Sequence, residues 1–230
     1  MPRICRSAPP GLAHHVINRG NDRKTVFHKA GDYLAFLRFM HEAQLIVPVR
    51  MLAFCLMPNH FHLVVWPESV EALSAYMRTL MNAHVRNYHQ HYGTTGNGHI
   101  WQGRFKNFPI QHDAHLFRVL RYVEANAGRA QLVRRAEEWN WCSLADPGED
   151  PWPELAPWPV GRPPDWLEYV NDRPGSDEMR RLRLSVRRGA PYGEDEWTER
   201  IAKESGLEFT LRPPGRPKRD TQPAALILAT

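Results

Sequence analysis

The run "MPNHFHLVVW", residues 57–66, carries two histidines inside a stretch otherwise apolar enough for a buried strand. Strand side chains alternate between faces, so His60 and His62 share one face while Phe61, Leu63 and Val65 take the other. At the usual strand rise the two histidine Cα atoms lie about 6.5–7 Å apart, close enough to converge on one metal ion or one phosphate. The plainer alternative is a pair of half-exposed strand histidines. The neighbouring segments have to separate the two.

Upstream, "VRMLAFCLM" (49–57) is a second apolar strand, and the short Pro58-Asn59 link predicts an antiparallel hairpin. "HHVINRGNDR" (14–23) starts extended and ends in turn residues, which predicts a strand over 14–18. Leu34, Phe36, Leu37 and Met40 fall at helical spacing with Asp32 in the first turn, so a helix is expected over 31–44, broken by Pro48. The clearest helix spans 69–93, with Ser69 as N-cap, a stripe through Leu73, Met77, Leu80, Met81, His84 and Val85, and Gly93 at its end. Residues 94–112 begin as a Gly-rich loop and become strand-like, and 113–133 read as a helix capped by Asp113 that loosens near Gly128. This order predicts an α+β fold, an antiparallel sheet with helices packed on one face, of the ferredoxin-like kind.

That unit fills residues 1–145. Residues 146–174 hold eight prolines and many acids, so 146–175 is expected to be a wrapping linker without regular structure. Two short helices, 176–189 and 193–207, belong to a basic C-terminal extension over 176–220, read first as a solvated charged face and, as the alternative, as a DNA-binding element. Its "GRPKR" (215–219) resembles short segments that lie in a minor groove, and the apolar tail 221–230 is expected to fray.

The formal charge of +5 leans toward an anionic partner, and its distribution is more informative. Residues 97–135 carry seven Lys or Arg against Asp113 and Glu124, whereas 137–178 carry eleven acids against Arg162 and Arg173. Cys5, Cys55 and Cys142 form no CxxC pair and leave one thiol over in any disulfide scheme, which fits a reducing compartment. No apolar stretch approaches the ~18 residues of a membrane span, and no leader pattern follows Met1. A cytoplasmic protein without a membrane partner is expected.

Neutral imidazole suits several divalent ions, but a closed structural zinc site wants four ligands, and the cysteines are scattered. Two histidines and one more polar group would leave coordination positions open for substrate oxygens, as phosphoryl chemistry requires. "RYVEAN" (121–126) supplies candidates: Tyr122 and Asn126 are four residues apart and neighbours on one helix face. Asn126 offers an amide oxygen to a hard cation, and Tyr122 a phenol able to attack phosphorus. Read without context, the same two residues are a core tyrosine and a C-terminal helix residue. "GHIWQGRFKNFPI" (98–110) interleaves Trp101, Phe105 and Phe108 with Arg104 and Lys106, a pattern suited to single-stranded nucleic acid or to an edge strand with solvated cations.

Taken together, "LMPNHFHLVV", "GHIWQGRFK", "LRYVEANAGRAQLV" and "EEWNWCS" resemble the REP-associated tyrosine transposases, HUH-type single-strand DNA transposases related to insertion-sequence enzymes with one catalytic tyrosine. The similarity covers about residues 10–145. The resemblance implies His60 and His62 as the metal pair, Asn126 as third ligand, Tyr122 as nucleophile, Mg²⁺ or Mn²⁺ as cofactor, and a nucleoid-associated protein. It implies cleavage of hairpin-forming single-stranded DNA through a 5′-phosphotyrosine link with a free 3′-hydroxyl, followed by strand transfer. With the basic-aromatic strand, Arg118, Arg121 and Arg129 complete the expected DNA contacts. One position departs from the family pattern: Ala127 stands where members usually have Pro, which bears on the helix exit rather than on a reactive group. Monomer and homodimer both remain open. The competing readings are a regulatory protein that binds DNA hairpins without cutting them and, less well supported, a metal-dependent hydrolase of a small phosphoester.

Overall fold

The computed structural model describes residues 11–146, 152–172 and 174–212. Strand β1 (Ala13–Arg19) is followed by α1 (Ala30–Ile46), the hairpin β2 (Arg50–Met57) and β3 (His60–Trp66), α2 (Val70–Tyr92) and β4 (Lys106–Ile110). The four strands are antiparallel throughout in the order β2-β3-β1-β4, the ferredoxin-like arrangement. Helix α2 begins where Ser69 Oγ accepts a bond from the Ala72 amide at 3.1 Å and ends at Gly93 in the left-handed region, φ 61°.

Helices α1 and α2 cover one face of the sheet, packing Phe36, Leu37, Met40, Tyr76, Met77 and Leu80 on Phe54, Leu56, Phe61, Leu63 and Val65. This is the helical layer the element order predicts. The opposite face is not left open. Helix α3 (Ala114–Glu124) buries Leu116, Val119, Leu120 and Val123 against Leu52, Cys55, Val64, Phe108 and Ile110. Both faces therefore carry helices: the second face presents Leu52, Cys55, Val64, Phe108 and Ile110, which would be an exposed apolar surface if left uncovered.

The chain beyond α3 differs from the expected single helix over 113–133. Regular α3 stops at Glu124; Ala125 (φ −76°, ψ 2°) interrupts it, and α4 (Asn126–Arg129) follows. Gln131 then takes φ 58°, a left-handed turn that ends helical structure.

Later segments close both sheet edges. On the β2 side, the Leu56 amide donates to the Trp141 carbonyl at 2.8 Å, and the Ala156 amide to the Met51 carbonyl at 2.7 Å. On the β4 side, the Tyr192 amide donates to the Pro109 carbonyl, and the Gln111 amide to the Tyr192 carbonyl, both at 3.0 Å. Unpaired edge groups thus find partners within the chain. The Pro-rich stretch also contains regular structure: α5 (Trp166–Asn171) buries Trp166 and Val170 in the core. Helices α6 (Ser176–Arg188), α7 (Asp195–Glu204) and α8 (Glu208–Leu211) follow. The segment "GRPKR" and the terminal tail lie outside the described residues.

His84 on α2 is buried in the α1/α2 layer and accepts a 3.3 Å bond from Trp101 Nε1 at its Nδ1. Burial pushes its pKa down from 6.5 to about 4. The unfolded chain therefore binds the proton more readily between those values, so the His84 contribution is intact above about pH 6.5 and is lost as pH falls toward 4. His84→Gln retains an acceptor without a titrating ring. Thermal melts between pH 7 and 4 are expected to show a flatter loss of Tm for this variant; an unaltered slope would remove His84 from the acid response.

Candidate nucleic-acid processing site

The candidate site lies on the α3-covered face. Registry pairs Arg19 with His60 and Ile17 with His62, so β1 and β3 together display Arg19, His15, His60 and His62 on this side. The rings of His60 and His62 have centroids 5.0 Å apart, as the alternation argument requires.

His60 Nδ1 lies 2.6 Å from Asn59 Oδ1, and the Asn59 amide is itself oriented by a 2.9 Å donation from Nδ2 to the Arg23 carbonyl. The Nδ1 of His60 must therefore carry the proton, leaving a lone pair on Nε2. Burial, with Arg19 and Arg129 nearby, lowers the His60 pKa to about 4. His62 is lowered well below 6.5, first by burial and then by its histidine and arginine neighbours. Both rings are neutral near pH 7, the state in which imidazole ligates metal.

A third histidine escaped the sequence reading. His15 Nε2 sits 2.8 Å from His62 Nδ1, its ring stacks on Phe108 with centroids 4.8 Å apart, and burial pushes its pKa down to about 3. When His62 presents the Nε2 lone pair, its Nδ1–H donates to His15 and fixes the ring. The sequence signal was the doublet His14-His15, but only β1–β3 registry tells which of the two meets His62.

Tyr122 arrives from α3, its ring edge-on to His62 with centroids 5.6 Å apart and interplanar angle 88°. Among the described residues no group hydrogen-bonds its hydroxyl, and the side chain is half-buried on the wall of a cleft between α3, α4, α5 and α6. Arg129 holds this tyrosine. Its guanidinium lies 4.1 Å from the ring centroid, donates at 2.7 Å to the Tyr122 carbonyl and at 3.0 Å to Asn126 Oδ1. Asn126 is thus brought to the tyrosine, across the α3–α4 break rather than along one continuous helix. Its Oδ1 retains a second lone pair, and its buried Nδ2 has no hydrogen-bond partner among the described residues.

Two imidazole nitrogens and one amide oxygen would suit a divalent ion that accepts mixed nitrogen and oxygen ligands, with its remaining positions left to substrate or water oxygens. Among the described residues, no group of three or more His, Cys, Asp and Glu side chains could hold a metal by itself.

The predicted DNA contacts separate into two sets. Arg104 and Lys106 are exposed. Trp101 and Phe105 are not available for base stacking in this arrangement: they are 4% and 7% exposed and pack in the α1/α2 layer. Their side of the sheet is apolar, so rings placed there join the core. Arg121 is buried and ion-paired with Glu178, beneath the Tyr169 ring at 4.1 Å, and Arg118 lies 3.7 Å from the same carboxylate. These two arginines anchor α6 to α3. Glu124, also unforeseen, is buried and accepts from Ser143 Oγ at 2.8 Å and Trp166 Nε1 at 2.7 Å, while burial pushes its pKa up to about 7. It fastens the Pro-rich segment to the helix that carries Tyr122.

This architecture defines a ferredoxin-like sheet with an added helix that presents a tyrosine to a histidine pair. A family model described as "Transposase IS200 like" matches residues 10–126, just over half of the chain. The chain belongs to the IS200-like transposase family, a family of DNA-processing proteins. A REP-associated tyrosine transposase bound to a REP hairpin is similar in fold, with a TM-score of 0.53 and 17% identity, covering 63% of this chain and 83% of that one. A protein of Deinococcus radiodurans R1 described as a transposase matches with a TM-score of 0.37 and 16% identity, covering 56% of this chain and 90% of that one. No curated protein matches. Among the described residues no helix is long and apolar enough to cross a membrane.

Trp101→Ala and Phe105→Ala are expected to destabilise the fold by about 3–5 kcal/mol each in denaturant titrations, as large-to-small changes in a core do. Unchanged stability combined with weaker oligonucleotide binding would return both rings to the DNA surface.

Proposed function

We propose that this chain is a single-stranded DNA endonuclease and strand transferase that acts on hairpin-forming repeat DNA, with Tyr122 as nucleophile. The observation that carries the reading is the edge-on contact of Tyr122 with His62, beneath the Arg129 guanidinium. Family membership supports the DNA-processing role, and the hairpin bound by the structural relative motivates the substrate class.

In this reading His60, His62 and Asn126 would hold Mg²⁺ or Mn²⁺, which when bound supplies charge to polarise the scissile phosphate. The Tyr122 oxygen bonds to phosphorus as the P–O3′ bond breaks. The phenolic proton is released, the departing 3′-oxygen takes up a proton, and the 5′-phosphate remains on tyrosine. Attack on that phosphotyrosine by another 3′-hydroxyl reverses the exchange and completes strand transfer without an external energy source. Arg129 clamps Tyr122 through its ring and carbonyl, which limits the positions the hydroxyl can take. Asn59 holds the His60 tautomer, and His15 the orientation of His62.

The second reading, a regulatory binder that does not cut, is favoured by the bond from Arg129 to Asn126 Oδ1, which engages the third ligand candidate. A labelled single-stranded hairpin incubated with Mn²⁺ or Mg²⁺ distinguishes the two. The native protein should form a covalent adduct, and Tyr122→Phe should form none while binding the hairpin with unchanged affinity. Tight binding by the native protein with no adduct would favour the regulator, and an undiminished adduct with Tyr122→Phe would falsify the assignment of the nucleophile. His60→Ala and His62→Ala are expected to abolish the adduct and to weaken Mn²⁺ binding to the protein alone by at least about tenfold in calorimetry.

A further inference from the structure

A cleft of about 910 Å³, whose lining does not include the tyrosine, lies between the β1–β4 end of the sheet and the C-terminal helices α6 and α8. Arg19, Arg104 and Lys106 stand on the sheet wall, and Arg183, Arg187 and Arg188 on the helical wall. None of the described residues lining it is acidic.

The arginines of α6 are sorted by direction. Arg180 pairs with Asp177 at 3.1 Å and Arg181 with Asp195 at 2.9 Å. Arg183 and Arg187, one turn apart, line the cleft, and among the described residues no ion pair engages them, Arg19, Arg104 or Lys106. Among the described residues Arg188 bonds only a carbonyl, that of Phe209, at 3.4 Å. Six cations facing one another across a cleft with no acid among its described lining residues repel in the free protein and are neutralised together by a polyanion.

Two further features favour a single strand. Phe209 on α8 lines the cleft and is 39% exposed, an aromatic surface on which a base can stack beside backbone-binding cations. Arg19, next to His60 in the sheet, lines the cleft, and its buried Nε has no hydrogen-bond partner among the described residues. Arg183 also lines the cleft that contains Tyr122 and Arg129, so it belongs to both spaces.

We propose that α6 and α8 close over the sheet to form a channel for the backbone of single-stranded DNA, passing Arg183 on the way to Tyr122. The inference rests on the reading above for its destination, but the channel is tested by binding alone. In full-length Tyr122→Phe protein, binding of a fluorescent single-stranded oligonucleotide is followed by anisotropy across a salt series. Arg183→Ala with Arg187→Ala should raise Kd at least about tenfold and reduce the slope of log K against log salt by about 1.4, since each phosphate contact to a single strand contributes about 0.7. Arg104→Ala with Lys106→Ala, on the opposite wall, should do the same and guards against misfolding of one pair. Arg78→Ala with Arg86→Ala, exposed on α2, should leave both quantities unchanged. Phe209→Ala should weaken single-strand binding more than binding of the corresponding duplex. Parental binding by both cleft pairs, or equal weakening by the α2 pair, overturns the channel; equal loss for strand and duplex overturns its single-strand assignment. Failure of the tyrosine chemistry would appear in the adduct assay and leave this measurement unaffected.

Discussion

The pairing of β1 with β3 in the register Ile17–His62 is the constraint on which the rest depends. Slipping it by one residue would exchange the faces of β1, sending Val16 toward α3 and His15 into the apolar layer under α1 and α2. In the observed register Phe61, Leu63, Val65 and Val16 build one core, and His15, His60 and His62 collect on the other side. The same pairing places Arg19 beside His60, which brings the cationic cleft up to the histidines. One ladder of backbone hydrogen bonds thus sets the core, the imidazole cluster and its neighbouring charge.

Polar groups on this face occupy an expensive environment, and the chain meets the cost in two ways. The histidines are kept neutral, each pushed below its ordinary pKa chiefly by burial. The carboxyl of Glu124 goes the other way for the same physical reason, because burial disfavours its charged form while Ser143 and Trp166 donate to it. Arg129 stays within reach of hydrogen-bond acceptors and an aromatic face, so its charge is spread over Tyr122 and Asn126. Groups that would be adjustable at a surface are held here by the hydrogen bonds and ring contacts they make, although His15 Nδ1, Arg19 Nε and Asn126 Nδ2 find no partner among the described residues.

Length, periodicity and turn residues made the sheet-forming half of the chain legible. Ser69 and Gly93 bracket α2, and Pro58-Asn59 marks the β2–β3 hairpin. The less accurate readings were those where partners distant in sequence decide. Trp101 and Phe105 alternate with cations in a way that suits nucleic acid, yet the core takes their rings because apolar area is available under α2. Arg118 and Arg121 look like DNA ligands until Glu178 arrives from α6. The prolines of residues 152–172 suppress regular structure only in part, since Trp166 has a core site and a buried carboxylate to bond.

By itself the sequence determined that His60 and His62 share a face, because strand alternation is a local property of the backbone. It also determined that cations concentrate in residues 97–135, whereas the expected helical neighbourhood of Tyr122 and Asn126 is interrupted at Ala125. The tertiary structure alone decided that Tyr122 meets His62, that His15 rather than His14 bonds to it, and that Arg129 clamps the tyrosine. It alone sorted the arginines of α6 into those ion-paired with Asp177 and Asp195 and those that line the cleft. These facts depend on strand register and on packing between segments far apart in the chain, which local spacing does not encode.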